Sequence, residues 1–163
     1  MSACLLGEKV RYDGGHKHAP ILIGTLGPFV EWVRVCPEVD CGLPVPREAM
    51  GLAGGLDFPH LVTKETGIDH TERMERWASA RLEELSAIGL SGYIGKKGSP
   101  SCGVEPVGVF TRLLAGRFPH LPVEEEGRLA DPALRERFLR RVFCLSGAGH
   151  SSPASPNRSR MSR

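Results

Sequence analysis

Short apolar runs alternate with helical patterns along this chain, and this alternation constrains its fold more than any other feature. Three runs have the length and composition of buried strands: Trp32 to Val35, Leu61 to Thr63, and Leu90 to Ile94. Apolar residues recur at helical spacing in four further segments: Ile21 to Trp32, Asp69 to Ile88, Val109 to Phe118, and Asp131 to Phe143. Because strands that alternate with helices are typical of a parallel sheet covered by helices, we predict an α/β fold.

The segment from Asp69 to Ile88 carries the clearest helical pattern. Asp69 can cap the helix, Glu72 three residues later completes a capping box, and Gly89 can end it.

Other segments lack a regular pattern. Prolines and a glycine predict a shaped loop over Asp40 to Glu48, Gly51 to His60 is expected to be irregular, and the run Glu124 to Glu126 is expected to be a solvated turn.

Three cysteines lie in turns rich in proline or glycine. They belong to the segments Ser2-Ala3-Cys4-Leu5-Leu6-Gly7, Cys36-Pro37-Glu38-Val39 and Ser99-Pro100-Ser101-Cys102-Gly103. Cys36 and Cys102 directly follow predicted strands, at the sheet edge where ligands bind in parallel α/β folds. The alternative interpretation is that all three are small buried residues in turns. Their intervals of 32 and 66 residues match no compact zinc or ferredoxin pattern, so spacing alone does not bring the sulfurs together.

Length and composition indicate one domain of the size of an ordinary globular unit. The 163 residues carry a net charge of +2, and without Arg158, Arg160 and Arg163 the balance is 18 basic against 19 acidic residues. The basic character therefore belongs to a tail, 144–163, which we expect to be disordered. Five cysteines without a signal peptide predict thiols or metal ligands in a cytoplasmic protein, and no apolar stretch is long enough for a membrane.

Several motifs in order resemble the thiouracil desulfurase (TudS) family. Besides the three cysteine segments, they are Val10-Arg11-Tyr12-Asp13-Gly14, Gly42-Leu43-Pro44-Val45-Pro46-Arg47 and Thr66-Gly67. The resemblance extends from residue 2 to about residue 143, so residues 1–143 are expected to form the desulfurase-like domain. The segments 121–129, 131–132 and 141–143 look most like the desulfurase domain of fused RNA thiouridine desulfidases (RudS type).

The resemblance implies a Rossmann-like domain that holds a 4Fe–4S cluster on Cys4, Cys36 and Cys102. It further implies that an open iron of the cluster takes sulfur from a thiolated pyrimidine, with Glu38 as acid/base and Ser101 as its hydroxyl partner. Two further residues are candidates for binding the base, Asp13 and Arg47. The alternatives are that Glu38 caps a helix, Ser101 braces its turn, Asp13 forms an Asx turn and Arg47 pairs with a surface acid. Cys41 is a spare thiol that could replace Cys36 as a ligand or carry sulfur, and we interpret it as mostly structural.

The chain departs from the family pattern in two places. Family members have a short apolar strand ahead of the first cysteine motif, and here Met1 directly precedes it, so we expect the first strand to be missing. The segment between Cys102 and Val107 is also short. The expected substrates are a small thiopyrimidine such as 2-thiouracil or thiouridine in tRNA. Two alternatives stay open: a non-catalytic remnant that binds thiolated tRNA, and a zinc or thiol-redox domain.

Overall fold

A computed structural model describes residues 1–55 and 58–148 of the chain, with side chains as far as Leu145. The chain forms helices and short strands in alternation. The helices are α1 (Pro20–Leu26), α2 (Pro37–Asp40), α3 (Thr71–Ile88), α4 (Val109–Arg117) and α5 (Pro132–Ala148). The strands are β1 (Met50–Ala53), β2 (His60–Thr63), β3 (Tyr93–Gly95) and β4 (Val123–Glu125). Single turns of 3-10 helix cover Ala3–Leu6, Gly27–Phe29 and Arg128–Ala130. The predicted α/β class is confirmed.

Parallel segments form the centre of the fold. Strand β3 pairs in parallel with β4, and Ser2 forms a parallel bridge with Val35. The backbone N–H of Ser2 also donates to the Ile94 carbonyl of β3 at 3.0 Å, while Val35 N–H donates to Met1 O at 3.1 Å. Residues 1–3 therefore lie between the segment ending at Val35 and β3. The first strand that the sequence predicted to be missing is replaced here by these three residues.

An antiparallel pair of strands departs from the sequence prediction. Strand β1 pairs with β2 in the register Met50 to Thr63 and Ala53 to His60. The prediction that Gly51 to His60 is irregular is therefore wrong at both ends of that segment. Glycine and alanine have weak strand propensity, and β1 is stabilised by its pairing with β2 and by the burial of Met50 against the core. Such a strand has no clear pattern of its own.

Helices α3 and α4 pack on one side of the parallel segments. The inward face of α3 buries Met74, Ala78, Leu82 and Leu85 against Phe110 of α4. The N-cap residue is His70 and not the predicted Asp69, whose carboxylate, one residue earlier, accepts the Thr71 N–H at 2.8 Å. The predicted capping box does not use Glu72, whose carboxylate instead pairs with Arg76 at 2.5 Å. On the other side, α1 and α5 cover Leu5 and Ile94, so the parallel segments are buried on both faces.

The last described helix runs further than the sequence predicted. Helix α5 continues to Ala148, so its last five residues fall within the predicted tail 144–163. Residues 149–163 lie outside the described residues, and the expectation of disorder there stays a prediction. Among the helices that the structure describes, none combines the length and apolarity needed to cross a membrane.

Candidate functional site

Three of the parallel segments each end at a cysteine. Cys4 follows the segment of residues 1–3, Cys36 follows Val35, and Cys102 lies in the loop after β3. The parallel bridge between Ser2 and Val35 aligns their two segments, so Cys4 and Cys36 both lie just beyond the carboxyl ends of these segments. Parallel segments have their carboxyl ends at one edge, and the fold therefore places the three predicted ligand positions at that edge.

Burial and mutual repulsion mark the three thiols as a group. Burial is the main reason that the pKa of Cys4 and the pKa of Cys36 are each raised to about 12. The negative charge of a Cys102 thiolate adds to both shifts, and that of Cys36 adds to the shift at Cys4. Each of the three sulfurs is thus within electrostatic range of the other two. Three buried thiols within electrostatic range of one another are a donor set suited to a soft, positively charged metal group.

The loop that carries Cys102 is packed closely by its own backbone. Gly95 leaves no room for a Cβ, because the Cys102 carbonyl oxygen occupies that position. A Cβ at Gly108, directly before α4, would lie 2.5 Å from the Ser101 carbonyl carbon. Glycine is therefore required at both places for the loop to fold back against the end of β3 and the start of α4.

Glu38, Ser101 and Arg47 form one connected cluster. The Ser101 hydroxyl donates to Glu38 Oε1 at 2.7 Å, and Arg47 donates to Glu38 Oε2 from Nε at 2.8 Å and from Nη2 at 2.5 Å. Ser101 is fully buried, and the side chains of Arg47 and Glu38 are only 6% and 13% exposed. The predicted acid/base and its hydroxyl partner are thus in direct contact, and each carboxylate oxygen of Glu38 has its own donor.

Arg47 is engaged by the protein on all sides. Besides Glu38, its guanidinium donates to the Pro44 carbonyl at 3.1 Å and to the Val10 carbonyl at 2.9 Å. Arg47 therefore pairs with an acid, but this acid is the nearly buried Glu38 and not the surface group of the alternative interpretation. Its predicted contact with a substrate base stays a prediction.

Asp13 and Cys41 lie at the margin of this cluster. The Asp13 carboxylate accepts from Arg11 at 3.0 Å and from the Gly15 N–H at 2.9 Å, the geometry of the expected Asx turn. Its pKa is lowered, first of all by the hydrogen bond from Arg11. The Cys41 thiol donates to the Glu38 carbonyl at 3.2 Å, which fits a structural role.

The acidic run after residue 123 contributes to the site, and the sequence prediction missed this. Glu125 belongs to β4, is only 2% exposed, and accepts the backbone N–H groups of Val104 at 3.1 Å and Glu105 at 2.8 Å. Glu126 accepts the N–H of Lys97 at 2.6 Å. The interpretation of Glu124 to Glu126 as a solvated turn is therefore wrong. The two carboxylates bind both ends of the Cys102 loop, and no local sequence pattern indicates these contacts.

The arrangement differs from a site for one metal ion. In residues 1–55 and 58–148, no three Cys, His, Asp or Glu side chains are grouped as ligands of a single ion. The corners of a cubane cluster hold their thiolates on separate irons, so these sulfurs do not need to approach as closely as donors that share one ion. A cavity of about 480 Å³ lies at the opposite end, beside Met1 and Gly92, and its lining contains no cysteine.

Comparison with known proteins agrees with this geometry. The family model described as 2-thiouracil desulfurase matches residues 1–126. Among solved structures, the chain is similar to a protein described as the 4Fe-4S-dependent thiouracil desulfidase TudS, with 37% sequence identity and a TM-score of 0.65. This similarity covers 83% of the present chain and 95% of the other. No match was found among functionally curated proteins. The resemblance found in the sequence motifs is confirmed, and the chain belongs to the 2-thiouracil desulfurase family.

Proposed function

We propose that this protein removes sulfur from 2-thiouracil-like bases and leaves the oxo-pyrimidine, using a 4Fe–4S cluster bound by Cys4, Cys36 and Cys102. The family membership and the solved relative support the reaction class and the cofactor. The observation that carries the proposal for this chain is the 2.7 Å bond between Ser101 and Glu38. This bond joins the Cys36 loop to the Cys102 loop, and it supports the proposal that the two side chains exchange protons.

The donor set fits the cluster. Three thiolates satisfy three irons of a cubane, and they come from loops that are fixed by backbone hydrogen bonds. When bound, such a cluster supplies a soft Lewis-acidic iron with one open position that can accept sulfur from a C=S group. Burial of the cysteines keeps water away from the ligands.

Glu38 moves protons in the proposed reaction. Replacement of sulfur by oxygen at the pyrimidine carbon requires a water to lose its proton and the leaving sulfur to be protonated. Glu38 Oε1 can receive and return a proton through the Ser101 hydroxyl, because a hydroxyl is both donor and acceptor. Arg47 holds Oε2 with two N–H groups, which fixes the carboxylate in the plane needed for this exchange.

Thiouridine in RNA is the second candidate substrate, and one feature of the surface favours it. The N–H of Lys17 donates to the Cys4 carbonyl at 2.9 Å, so the exposed run His16 to His18 lies beside the first cysteine loop. Basic and imidazole groups at this position can bind the phosphates of a polynucleotide. We propose Asp13, in the same loop, as a contact to the base. The domain boundary at about residue 143 is likewise proposed.

The test is turnover of two substrates by anaerobically reconstituted protein. We expect 2-thiouracil to be converted to uracil with release of sulfide, and we expect Lys17→Ala to leave this rate unchanged. If RNA is also a substrate, Lys17→Ala should weaken turnover of thiolated tRNA and reduce its salt dependence. Reconstituted protein that releases sulfide from neither substrate contradicts the proposal.

A further inference from the structure

Ser99 lies in the Cys102 loop, within hydrogen-bond distance of the cysteine sulfur. Its Oγ lies 3.3 Å from Cys102 Sγ. Its backbone is fixed at both ends, since Ser99 N–H donates to the Lys96 carbonyl at 3.2 Å and its own carbonyl accepts the Gly103 N–H at 3.0 Å. The hydroxyl is thus positioned by the loop and has little freedom to turn away.

The hydrogen bonds of the Ser99 hydroxyl can be counted completely. A hydroxyl has two acceptor lone pairs and one proton to donate. Ser99 Oγ accepts the backbone N–H of Ser101 at 3.3 Å and that of Cys102 at 3.2 Å, so both lone pairs are used. The proton is the group that remains, and Cys102 Sγ is the neighbour at hydrogen-bond distance that needs a donor once it binds metal.

Binding of iron settles the direction of this contact. The free thiol of Cys102 donates toward Ser99 Oγ, which then faces three donors with two lone pairs. A sulfur that is bound to iron carries no proton and can only accept. The Ser99 O–H then donates to the sulfur, and its proton and both its lone pairs have partners.

We propose that Ser99 is a positioning residue that donates a hydrogen bond to the Cys102 sulfur and thereby sets the reduction potential of the bound cluster. This inference rests on the proposed function. Hydrogen bonds to the sulfurs are one of the factors that determine cluster potentials, because a donor stabilises the more negative, reduced state. Ser99 does not touch the substrate in this assignment; it acts through Cys102.

The neighbouring Ser101 provides a matched control. Both serines are in the same loop, but the Ser101 hydroxyl donates to the Glu38 carboxylate and not to a sulfur. Removing the Ser101 hydroxyl should therefore lower turnover and leave the potential unchanged. Removing the Ser99 hydroxyl should change the potential. A role of Ser99 that is only structural would alter iron retention without this difference between the two variants.

The experiment is an anaerobic redox titration followed by electron paramagnetic resonance, with all proteins loaded to equal iron content. Ser99→Ala is expected to shift the midpoint to a more negative potential, while Ser99→Thr, which keeps the hydroxyl, stays near the wild-type value. Ser101→Ala is also expected to stay there. Equal midpoints for wild type and Ser99→Ala would overturn the inference. Wild-type protein that takes up no iron would overturn the proposed function together with it.

A second measurement applies if Ser99→Ala does not retain iron. The reduced wild-type cluster should show an exchangeable proton coupling in H₂O that disappears in D₂O by electron–nuclear double resonance. The Ser2 and Tyr93 hydroxyls and the Lys96 backbone N–H also hydrogen bond at Cys102, so this coupling should persist in Ser2→Ala and in Tyr93→Phe. A wild-type spectrum without an exchangeable coupling, or its loss in Ser2→Ala or in Tyr93→Phe, would contradict the assignment to Ser99.

Discussion

At the scale of single residues, the site depends on buried polar groups that each hydrogen bond to a specific partner. Glu38 has one oxygen bound by a hydroxyl and the other by a guanidinium, and all three side chains are nearly or fully buried. A buried charge that loses its partner is costly, while a buried charge that keeps it is well oriented. Substitution of Glu38 and substitution of Arg47 should therefore have different effects, the first mainly on turnover and the second mainly on stability.

Glu38→Gln should reduce turnover strongly and stability little. The amide oxygen can still accept from Arg47, but the side chain can no longer take up a proton. We expect kcat to fall by about 10²- to 10⁴-fold, the range of general acid–base catalysis. The measurement is the rate of sulfide release from 2-thiouracil at matched iron content. Glu84→Gln, on the exposed face of α3, is the control and should retain the wild-type rate. A full rate in Glu38→Gln would remove it from the reaction.

Arg47→Met should instead reduce stability. The substitution keeps an apolar stem but leaves Glu38 without its charged partner, and we expect the free energy of unfolding to fall by about 2–4 kcal/mol. The measurement is urea denaturation of the apo protein. The double variant Glu38→Gln/Arg47→Met should recover much of the lost stability, because no unpaired carboxylate is left. Additive losses in the double variant would show that the two side chains do not interact.

At the scale of elements, β4 connects the parallel core to the loop that carries Cys102. Its three residues pair with β3, and Glu125 reaches under the loop to two backbone N–H groups. Three residues of strand give little pairing energy, so the buried carboxylate is a major link between the strand and the loop. The position of Cys102 thus depends on a residue 23 positions away in sequence.

Glu125→Ala should loosen the Cys102 loop. It leaves the N–H groups of Val104 and Glu105 unsatisfied, and we expect their hydrogen exchange to accelerate by at least tenfold, equivalent to about 1.4 kcal/mol of local stability. Iron should also be lost faster from the reconstituted protein. Glu136→Ala removes an exposed ion pair with Arg140 and should change neither property. Unchanged exchange at Val104 and Glu105 would contradict the link.

The start of α3 gives a pH-dependent prediction. Hydrogen bonds from Thr71 are the main reason that the pKa of Asp69 is lowered to about 2. A carboxyl whose pKa is lower in the folded state stabilises the fold fully above its unfolded pKa of 3.8 and loses this effect as the pH falls toward about 2. Because the Asp69 side chain is 46% exposed and solvent screens its charge, Asp69→Ala should cost no more than about 1 kcal/mol at pH 7. The cost should shrink steadily below pH 4, and a pH-independent difference in urea denaturation would contradict it.

At the scale of the whole molecule, sequence patterns predicted the layers better than the connections. The helices now numbered α3, α4 and α5, and strand β3, follow from apolar periodicity, which depends only on nearby residues. Strand β1 and the burial of Glu125 depend on partners that are distant in the sequence, and no local pattern records them. The sequence predicted that Cys36 and Cys102 lie at one edge, because both follow predicted strands; it gave no such indication for Cys4. The pairing of Arg47 with Glu38 was not, because the irregular loop between them sets the direction of the side chain.

The most direct test of the account is the iron content of the anaerobically reconstituted chain and of its cysteine variants. The account predicts about four irons per chain for the wild type and for Cys41→Ala, and loss of the cluster absorption in Cys4→Ala, Cys36→Ala and Cys102→Ala. A wild-type protein that binds no iron, or a Cys102→Ala variant that still binds four, would contradict it.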